Sequence, residues 1–472
     1  MSSPVMRIFA VLLCFVSVSA QTVPAPTIDG RTVEELRRIQ AASLADDYAY
    51  ERTRYMTNNI GPRLSGSPQA ARAVEYVADE MKKLGLEVTL QEVKVPHWER
   101  GRETGEIVEF TGMAKGTVQK IALTALGGSV ATPDDGLTAP VVVVSSYDEL
   151  NALGKAGVAG KIVLFNGKFD RDLARSGFGL EAYGQAVQFR GGGAAAAGRL
   201  GAVGVLVRSA GGSQNRLAHT GGTRYAEGVN KIPAAAVSAE DAELIADLAR
   251  QGTTRVRIVL TPKTHPDALS HNVLADMKGA ERPEEIIVVS GHLDSWDLGT
   301  GALDDAVGVA AAMHVPYILK KLGLKPKRTI RVVAYMNEEN GLVGGNEYAR
   351  AADISKHFAA IESDLGASHP VGILFTGNPA ARTSLSPIMD VLRGQGAGMI
   401  GIRDGVGADI GPLTRQGVPS FAPWFDTRTY FDYHHTAADT FDKVDAKELA
   451  EVASVMAVLA YGLANMEGPL PR

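Results

Sequence analysis

The sequence predicts an α/β protein in which a mainly parallel, mixed sheet is covered by helices and a β-rich domain is inserted into the chain. From residue 272 onward, apolar runs typical of buried strands alternate with helix-like segments, the pattern of a sheet with crossover helices. Between residues 123 and 265, short β-rich runs alternate instead with Gly-rich turns. We therefore expect one domain from residues 46–122 and 266–472, interrupted by a second domain over residues 123–265.

The N-terminus has the pattern of a secretory signal peptide. Arg7 is followed by an apolar run over residues 8–16 and by small residues that end at Ala20, after which we expect cleavage. The run is shorter than the ~20 apolar residues that a spanning helix needs, so we expect export without a membrane span, to the periplasm or the medium. Residues 21–45 begin Pro-rich and continue as a helix-like stretch, which fits either a removed propeptide or an N-terminal docking segment.

Composition excludes several classes of function. The 472 residues are 45% hydrophobic and 21% charged, which is enough for two or three domains. The net charge is -5 and the chain contains no block of basic residues, so we expect no nucleic-acid partner. The only cysteine, Cys14, lies within the predicted signal peptide. The mature protein should therefore lack disulfides, and its metal ligands must be His and carboxylates.

Ahead of the insertion, the sequence predicts two helices and a strand. An amphipathic pattern begins at Asp47 and ends at the turn of residues 61–67. A second helix over residues 69–84 stops at Gly85, a residue that favours helix ends, and a strand follows over residues 87–95.

The inserted segment has strand-like runs at residues 141–144, 161–165 and 203–207, but no cluster of His with carboxylates. We therefore expect a domain without chemistry of its own. The Gly/Ala-rich run at residues 191–198 lacks the Lys-Ser/Thr of a phosphate-binding loop, so a close-packed helix is expected there and no nucleotide.

After the insertion, strands are expected at residues 286–290, 329–336 and 359–362, with helices at residues 305–322 and 343–351 between them. His and carboxylate residues follow these strands, open a helix or lie near the end of the chain: His292, Asp294, Asp304, Asp305, Glu338, Glu339, Asp364, His434 and His435. Because the carboxyl ends of parallel strands meet at one edge of a sheet, we expect these side chains to gather in one site.

The adjacent carboxylates Glu338 and Glu339 are the most informative pair. Two carboxylates at the mouth of a buried strand repel each other unless a cation or a proton separates their roles. A metal site fits best, because His and carboxylates are ligands that zinc accepts. We expect a two-zinc hydrolase in which one glutamate binds metal and its neighbour accepts a proton from water and passes it to the leaving group.

Spacing also suggests roles for three aspartates. Asp294 lies two residues after His292, close enough to orient the imidazole and raise its basicity. Of the paired residues at the helix start, Asp304 is expected to bridge the metals and Asp305 to anchor the turn.

These residues resemble the co-catalytic zinc exopeptidases, and among them the plasma glutamate carboxypeptidase (carboxypeptidase Q) family. The similarity covers nearly the whole mature chain and is carried by residues 95–98, 231–233, 290–297 and 466–472. It implies a zinc exopeptidase fold for the first domain and identifies the inserted segment as a protease-associated domain.

The resemblance implies that two zinc ions share five ligands, with Asp304 as the bridge and Glu338 as the general base. The other ligands are His292 and Asp364 for one ion, and Glu339 and His435 for the other. Spacing alone leaves open which residue of the histidine pair binds metal. The family's pattern of His, Thr or Ser, two residues, Asp and Thr is met only by His435, so His434 is expected to line the substrate cleft.

For activity, the resemblance implies a homodimer that cleaves small peptides, especially dipeptides with free termini. Asp409, in a Gly-rich loop, is a candidate partner for the substrate's amine, although an Asp in such a turn equally serves the loop itself. We also expect a cis peptide bond between Asp304 and Asp305. Two departures from the family, Ala306 after this pair and Asn337 before the glutamates, remove no ligand.

Two other functions remain open from the sequence. An aminopeptidase acting on longer peptides shares this metal chemistry, and the depth of the pocket distinguishes it from a dipeptidase. A catalytically silent, receptor-like binding protein is the alternative from a different class. Such a protein is expected to lose metal ligands, whereas this chain retains all five.

Overall fold

The structure of the protein, a computed structural model, describes residues 27–472. The predicted signal peptide, its cleavage position after Ala20 and the cysteine lie outside the described residues. Two eight-stranded sheets form the framework. The strands are β1 Glu87–Glu99, β2 Glu103–Glu109, β3 Gln119–Ile121, β4 Leu123–Ala125, β5 Leu137–Val144, β6 Ile162–Phe165, β7 Gly204–Arg208, β8 Ala234–Val237, β9 Arg255–Leu260, β10 Lys263–Met277, β11 Arg282–His292, β12 Arg328–Tyr335, β13 His357–Glu362, β14 Pro370–Thr376, β15 Met399–Ile402 and β16 Ser420–Phe425.

Fourteen α-helices in the described part of the chain accompany these strands. They are α1 Gly30–Leu44, α2 Tyr48–Tyr55, α3 Pro68–Lys83, α4 Tyr147–Val158, α5 Arg171–Arg175, α6 Gly179–Ala186, α7 Gln188–Arg199, α8 Ala239–Gln251, α9 Val307–Lys321, α10 Val343–Ala351, α11 Ser386–Leu392, α12 Gly411–Arg415, α13 Tyr430–Tyr433 and α14 Ala446–Asn465. The first sheet and its helices form the main domain, residues 30–99 and 263–472, and the second sheet forms the inserted domain, residues 103–260.

The sheet of the main domain has the strand order β1-β10-β12-β11-β13-β16-β14-β15. Its centre is parallel, because β11 pairs in parallel with β12 and β13, and β13 with β16. Ile287, Val288 and Val289 of β11 are fully buried, as expected for a strand covered on both faces. Helices α1, α2, α9 and α14 pack on one face, and α10 and α12 on the other. The predicted α/β fold with a mixed, helix-covered sheet is confirmed.

The sheet of the inserted domain has the order β3-β2-β9-β5-β6-β7-β8-β4, with β5 to β8 in parallel. Parallel neighbours need crossover connections, and α4 and α7 provide two of them. The predicted small-residue helix at residues 191–198 lies within α7. The domain is therefore α/β, with more helix than the β-rich pattern indicated.

The insertion begins earlier than residue 123. β2 pairs with both β3 and β9, so residues 103–121 belong to the second sheet rather than to the main domain. Local sequence patterning did not reveal this boundary, because it depends on pairing between strands that lie far apart in the chain.

The chain enters and leaves the inserted domain through two neighbouring strands. β1 and β10 pair antiparallel, with Glu99 opposite Lys263 at the end next to the insertion. Arg100 follows β1, and its Nε lies 2.9 Å from each carboxylate oxygen of Asp297, while its Nη1 donates to Thr124 Oγ1 at 2.7 Å. This arginine therefore connects both domains.

Two tryptophans of the main domain complete the contact between the domains. Trp98 and Trp296 are buried in the core of the inserted domain, and Trp98 Nε1 donates to the Ser129 carbonyl at 3.1 Å. Trp296 packs so closely on Gly127 that a Cβ there would overlap the indole ring.

The N-terminal helix α1 belongs to the core of the main domain. Asp29 caps it by accepting a hydrogen bond from the Thr32 backbone N–H at 2.7 Å. Leu36 and Ile39 are fully buried in the core cluster that includes α14. This packing favours a docking segment over a removed propeptide for residues 30–44.

Two helical stretches in the described part of the chain are long and apolar enough to cross a membrane, Ala302–Lys321 and Ala446–Asn465. Both stretches are almost entirely buried inside the protein. Their hydrophobicity is therefore accounted for by packing in the core.

Candidate active site

The predicted site residues lie along the carboxyl edge of the first sheet. His292 ends β11, Glu338 and Glu339 follow β12, and Asp364 follows β13. A cleft of about 610 Å³ opens at this edge, and the inserted domain forms its opposite wall. This volume is typical of sites for small ligands.

The five residues predicted as metal ligands come together in two groups. His292 Nε2 lies 3.0 Å from Asp304 Oδ1 and 3.2 Å from Asp364 Oδ1. His435 Nε2 lies 3.1 Å from Asp304 Oδ2 and 2.9 Å from Glu339 Oε2. The two oxygens of Asp304 thus face two different imidazoles, as the arrangement of a bridging carboxylate requires.

This donor set fits metal ions. The carboxylates of Asp304 and Glu339 are buried and that of Asp364 is partly buried beside them, which costs free energy unless cations balance their charge. Asp304 Oδ2 is buried and accepts no well-aligned hydrogen bond from the described residues. Burial and the charge of Asp304 raise the pKa of Glu339 to about 7, whereas a bound cation would favour its charged form. Imidazoles and carboxylates without thiolates suit zinc in a site of this kind.

Glu338 differs from its neighbour Glu339. Its side chain lines the cleft, and among the described residues it belongs to none of the groups with metal-ligand spacing. Burial, followed by the charges of Asp364 and Glu339, raises the pKa of its carboxyl well above the ordinary value. A carboxylate that has a raised proton affinity and does not bind metal suits the role of a proton acceptor.

Asp294 orients the glutamates rather than the imidazole. Its Oδ1 accepts hydrogen bonds from the backbone N–H groups of Asn337 at 2.7 Å and Glu338 at 3.0 Å, and its Oδ2 accepts from the Ser65 hydroxyl at 3.0 Å. His292 Nδ1 instead lies 3.0 Å from the main-chain carbonyl of Asp294 and 3.9 Å from its carboxylate. The carboxylate therefore lies near the imidazole without a direct hydrogen bond to it, because backbone N–H groups and the Ser65 hydroxyl occupy its oxygens.

Two further aspartates position Asp304. Asp305 Oδ2 accepts from the His292 backbone N–H and its Oδ1 from that of Gly308, each at 3.0 Å, so it anchors the turn as expected. Asp439 accepts from the Asp304 backbone N–H at 3.2 Å. The peptide bond between Asp304 and Asp305 is cis, which agrees with the prediction.

A buried arginine supports the floor of the site. Arg63 is 0% exposed and donates to the main-chain carbonyls of Leu293, Thr300 and Gly301, each at 2.8 Å. Burial lowers the pKa of its guanidinium, and the charges of Asp439, Asp294, Asp305 and Asp304 oppose that shift. The sequence marked residues 61–67 only as a turn, because the carbonyls of Leu293, Thr300 and Gly301 lie at least 230 residues away along the chain.

The inserted domain reaches the histidine pair. His435 Nδ1 lies 3.2 Å from the Thr220 carbonyl and 3.1 Å from Arg190 Nη1. His434 Nδ1 lies 3.0 Å from His219 Nε2, and the His434 ring stacks on His435 with centroids 3.7 Å apart. Sequence reasoning missed these three residues of the inserted domain, because no local motif marks them and only the tertiary contact reveals them.

His434 lines the cleft next to His435, and its contact with substrate stays a prediction. Asp409, in contrast, is 1% exposed and is not among the described residues that line the cleft. Burial and the charge of Glu362 raise the pKa of Asp409 well above the ordinary value. The predicted contact between Asp409 and a substrate amine is therefore not supported by its position.

Comparisons with known proteins agree with this geometry. Residues 272–460 match the model of peptidase family M28, and residues 137–245 match the PA domain. Carboxypeptidase Q from Bos taurus is 37% identical over 94% of this chain and 91% of its own length. The chain belongs to peptidase family M28. Carboxypeptidase Q from Rattus norvegicus is 39% identical over 90% of this chain and 87% of its own length.

A solved structure shares the whole architecture. The peptidase M28 precursor from Shewanella amazonensis has a TM-score of 0.87 and 36% sequence identity, and the match covers 94% of this chain and 99% of that one. The protein is therefore a zinc metallopeptidase of family M28 with an inserted PA domain, and the predicted resemblance to carboxypeptidase Q is confirmed.

Proposed function

We propose that this metallopeptidase is an exported di-zinc exopeptidase whose main substrates are dipeptides with free termini. The position of Asp304 supports two zinc ions. The two carboxylate oxygens of Asp304 face two separate groups, His292 with Asp364 and His435 with Glu339. Each group can hold one zinc ion, with Asp304 shared between them.

Zinc ions held there would activate a water molecule for attack on the peptide carbonyl. Glu338, the cleft carboxylate outside the ligand groups, takes the proton of this water and delivers it to the leaving amine. Asp294 holds the turn that carries Glu338 through the backbone N–H groups of Asn337 and Glu338. A carboxylate whose pKa is raised binds this proton more readily than an exposed glutamate does.

The shape of the cleft supports small substrates. Leu180, Tyr183 and Arg190 of the inserted domain line it opposite Glu338 and Asp364 of the main domain. A long peptide would have to leave this space between the two walls, whereas a dipeptide fits within about 610 Å³.

A substrate series tests this proposal. The values of kcat/KM are compared for a dipeptide, its N-acetylated form and a hexapeptide that begins with the same two residues, using enzyme with measured zinc content. We expect the free dipeptide to be hydrolysed most efficiently. Comparable values for all three would indicate an open cleft, and a preference for the hexapeptide would favour an aminopeptidase of longer peptides. Absence of hydrolysis with both zinc ions bound would favour a binding protein.

We also propose export, with cleavage after Ala20, and assembly as a homodimer. The signal-peptide pattern supports export, and N-terminal sequencing of the protein recovered from the periplasm or medium tests it. The edge strand β15 supports assembly, because Met399 and Ile402 are each 48% exposed on it. Light scattering should give the mass of two chains, and a monomer over the working concentration range would contradict this assembly.

A further inference from the structure

Two histidines and a glutamate stand together where the chain crosses between the two domains. His97 of β1 lies directly opposite His265 of β10, near the end of the strand pair next to the insertion. Glu99 follows His97 by two residues, so both side chains leave the same face of β1. Trp98, between them, is buried in the core of the inserted domain. The strand geometry therefore gathers two imidazoles and one carboxylate on one face of the junction.

The distances within this junction cluster (His97, Glu99 and His265) match those expected for metal ligands. Glu99 Oε2 lies 3.2 Å from His265 Nε2, and Glu99 Oε1 lies 3.9 Å from His97 Nε2. One ligand atom from each of the three residues lies within 4.8 Å of the other two. Ligands bound to a tetrahedral zinc ion lie roughly 3.4 Å from one another. Small adjustments of the side chains would therefore bring all three onto one ion.

The polar atoms of the junction cluster lack other partners. His265 Nε2 is buried and makes no well-aligned hydrogen bond with the residues that the structure describes, although it approaches Glu99. Within residues 27–472, no lysine or arginine lies within 4.0 Å of the Glu99 carboxylate, even though Lys263 is directly opposite in the strand register. A buried ring nitrogen without a partner costs free energy, and a bound cation would satisfy this nitrogen together with the carboxylate.

The imidazoles are held in place by their neighbours. The rings of His97 and His265 stack with their centroids 4.5 Å apart. Gly66 lies so close to His97 that a Cβ there would come within 2.9 Å of the imidazole side chain. A side chain that is already confined loses little further freedom when it binds an ion. Both rings are partly exposed and His97 lines the cleft, so an ion can reach them from solvent.

We propose that the junction cluster is a third metal site, which binds zinc and shares no ligand with the catalytic groups. Two imidazoles and a carboxylate without a thiolate suit zinc, and water would complete the coordination. The ion would join β1 to β10, the two strands through which the chain enters and leaves the inserted domain, and so stabilise the junction. Because its three ligands are partly exposed, this ion should bind more weakly than the catalytic ions. The proposal does not depend on the peptidase function.

A zinc titration tests this site. The purified enzyme is dialysed until its zinc content is constant, so that the catalytic ions stay and the weaker ion leaves. Calorimetry with added Zn²⁺ then gives the number of further ions bound and their dissociation constant for the wild type, His265→Gln, Glu99→Gln and the control His271→Gln. His271 also lies on β10 but belongs to none of the described groups with metal-ligand spacing. The zinc content after dialysis shows whether each variant has folded around its catalytic ions.

We expect the wild type and His271→Gln to bind one further zinc ion per chain. His265→Gln and Glu99→Gln should bind it at least about 10-fold more weakly, because each loses one of three ligands. The added zinc should also raise the unfolding temperature of the wild type and of His271→Gln. A wild type that binds no further ion would overturn the site, as would equally tight binding in His265→Gln with its catalytic zinc retained. Binding of the further ion without a rise in unfolding temperature would overturn its role in stabilising the junction.

Discussion

The main and inserted domains share a framework but differ in what stands at the ends of their strands. Each has an eight-stranded sheet with parallel strands at its centre. In the main domain these strands end at or just before His292, Glu338 and Asp364. In the inserted domain, β6 and β8 are followed by Asn166 and Ser238, which accept hydrogen bonds from a neighbouring arginine and from a helix N-terminus. Both sheets place side chains at the carboxyl ends of their parallel strands, and the identity of those side chains decides whether a catalytic site can form there.

The largest expected effect concerns Asp304, the proposed bridging ligand at the metal-binding edge of the main domain. Asp304→Ala removes the carboxylate that faces both His292 and His435, so we expect loss of both zinc ions and of peptidase activity. Metal analysis and a dipeptide assay measure this. Asp267→Ala, which changes an exposed carboxylate of the same cleft, should keep both ions. Two zinc ions bound to Asp304→Ala would contradict the bridging role.

The two adjacent histidines should respond differently. His435→Ala is expected to lose zinc because His435 faces Asp304 and Glu339 at 3.1 and 2.9 Å. His434→Ala should keep more zinc, since His434 lies 3.0 Å from His219 of the inserted domain and 3.4 Å from Asp304. Metal analysis of both purified variants decides between them. Equal losses would show that both histidines bind metal.

Glu338→Gln should separate proton transfer from metal binding. The variant keeps all five proposed ligands, so zinc content should match the wild type, while kcat falls by roughly 10²–10⁴-fold. Glu284→Gln, an exposed position on β11, serves as the control and should keep full activity. Activity near the wild-type level in Glu338→Gln with both ions bound would refute its role as general base.

Removal of metal should affect the stability of the two domains unequally. A chelator leaves the carboxylates of the main domain without counter-charge, whereas the inserted domain supplies none of the five proposed ligands and contacts the site through residues such as Arg190, Thr220 and His219. Zinc at about 100 times its dissociation constant stabilises the folded protein by about 3 kcal/mol. At roughly 2–4 °C per kcal/mol, removal of zinc should therefore lower the unfolding temperature of the main domain by several degrees. Calorimetry with and without chelator measures this. An equal shift of all unfolding transitions would mean that the domains unfold as one unit.

The smallest effect concerns the junction between the domains. Arg100→Met leaves Asp297 and Thr124 without their partner, which should lower the free energy of unfolding by about 1–3 kcal/mol. Arg100 also holds the inserted domain against the main domain, so its loss should loosen the inserted-domain wall of the cleft. Because that wall is proposed to fit small substrates, kcat/KM should fall more for a dipeptide than for a hexapeptide. Arg102→Met is the matched control, because this neighbouring side chain is exposed. Identical substrate profiles for both variants would show that Arg100 contributes to stability alone.

The ligand-bearing strand ends could be predicted because their signals are local. His292, Glu338, Glu339 and Asp364 each stand directly after an apolar run, and parallel strands bring such positions together. The family pattern around His435 added the remaining histidine.

Residues whose roles depend on contacts between distant parts of the chain could not be predicted from the sequence. Arg63 sits in an ordinary turn, and its role appears only once carbonyls from another part of the chain surround it. Arg190 and His219 belong to a segment without a motif, and they reach the site only because the inserted domain folds over it. Asp409 shows the opposite case, since a Gly-rich loop suggested exposure but the fold buried it.

The paired strands β1 and β10 make the inserted domain a removable module in evolutionary terms. Glu99 and Lys263 stand opposite each other where the chain departs and returns, so a short turn between them would close a hairpin and leave the first sheet whole. An ancestor could gain or lose the segment at this point while keeping the residues that bind metal. Hydrolytic chemistry and the choice of substrate can therefore have separate histories within a single chain.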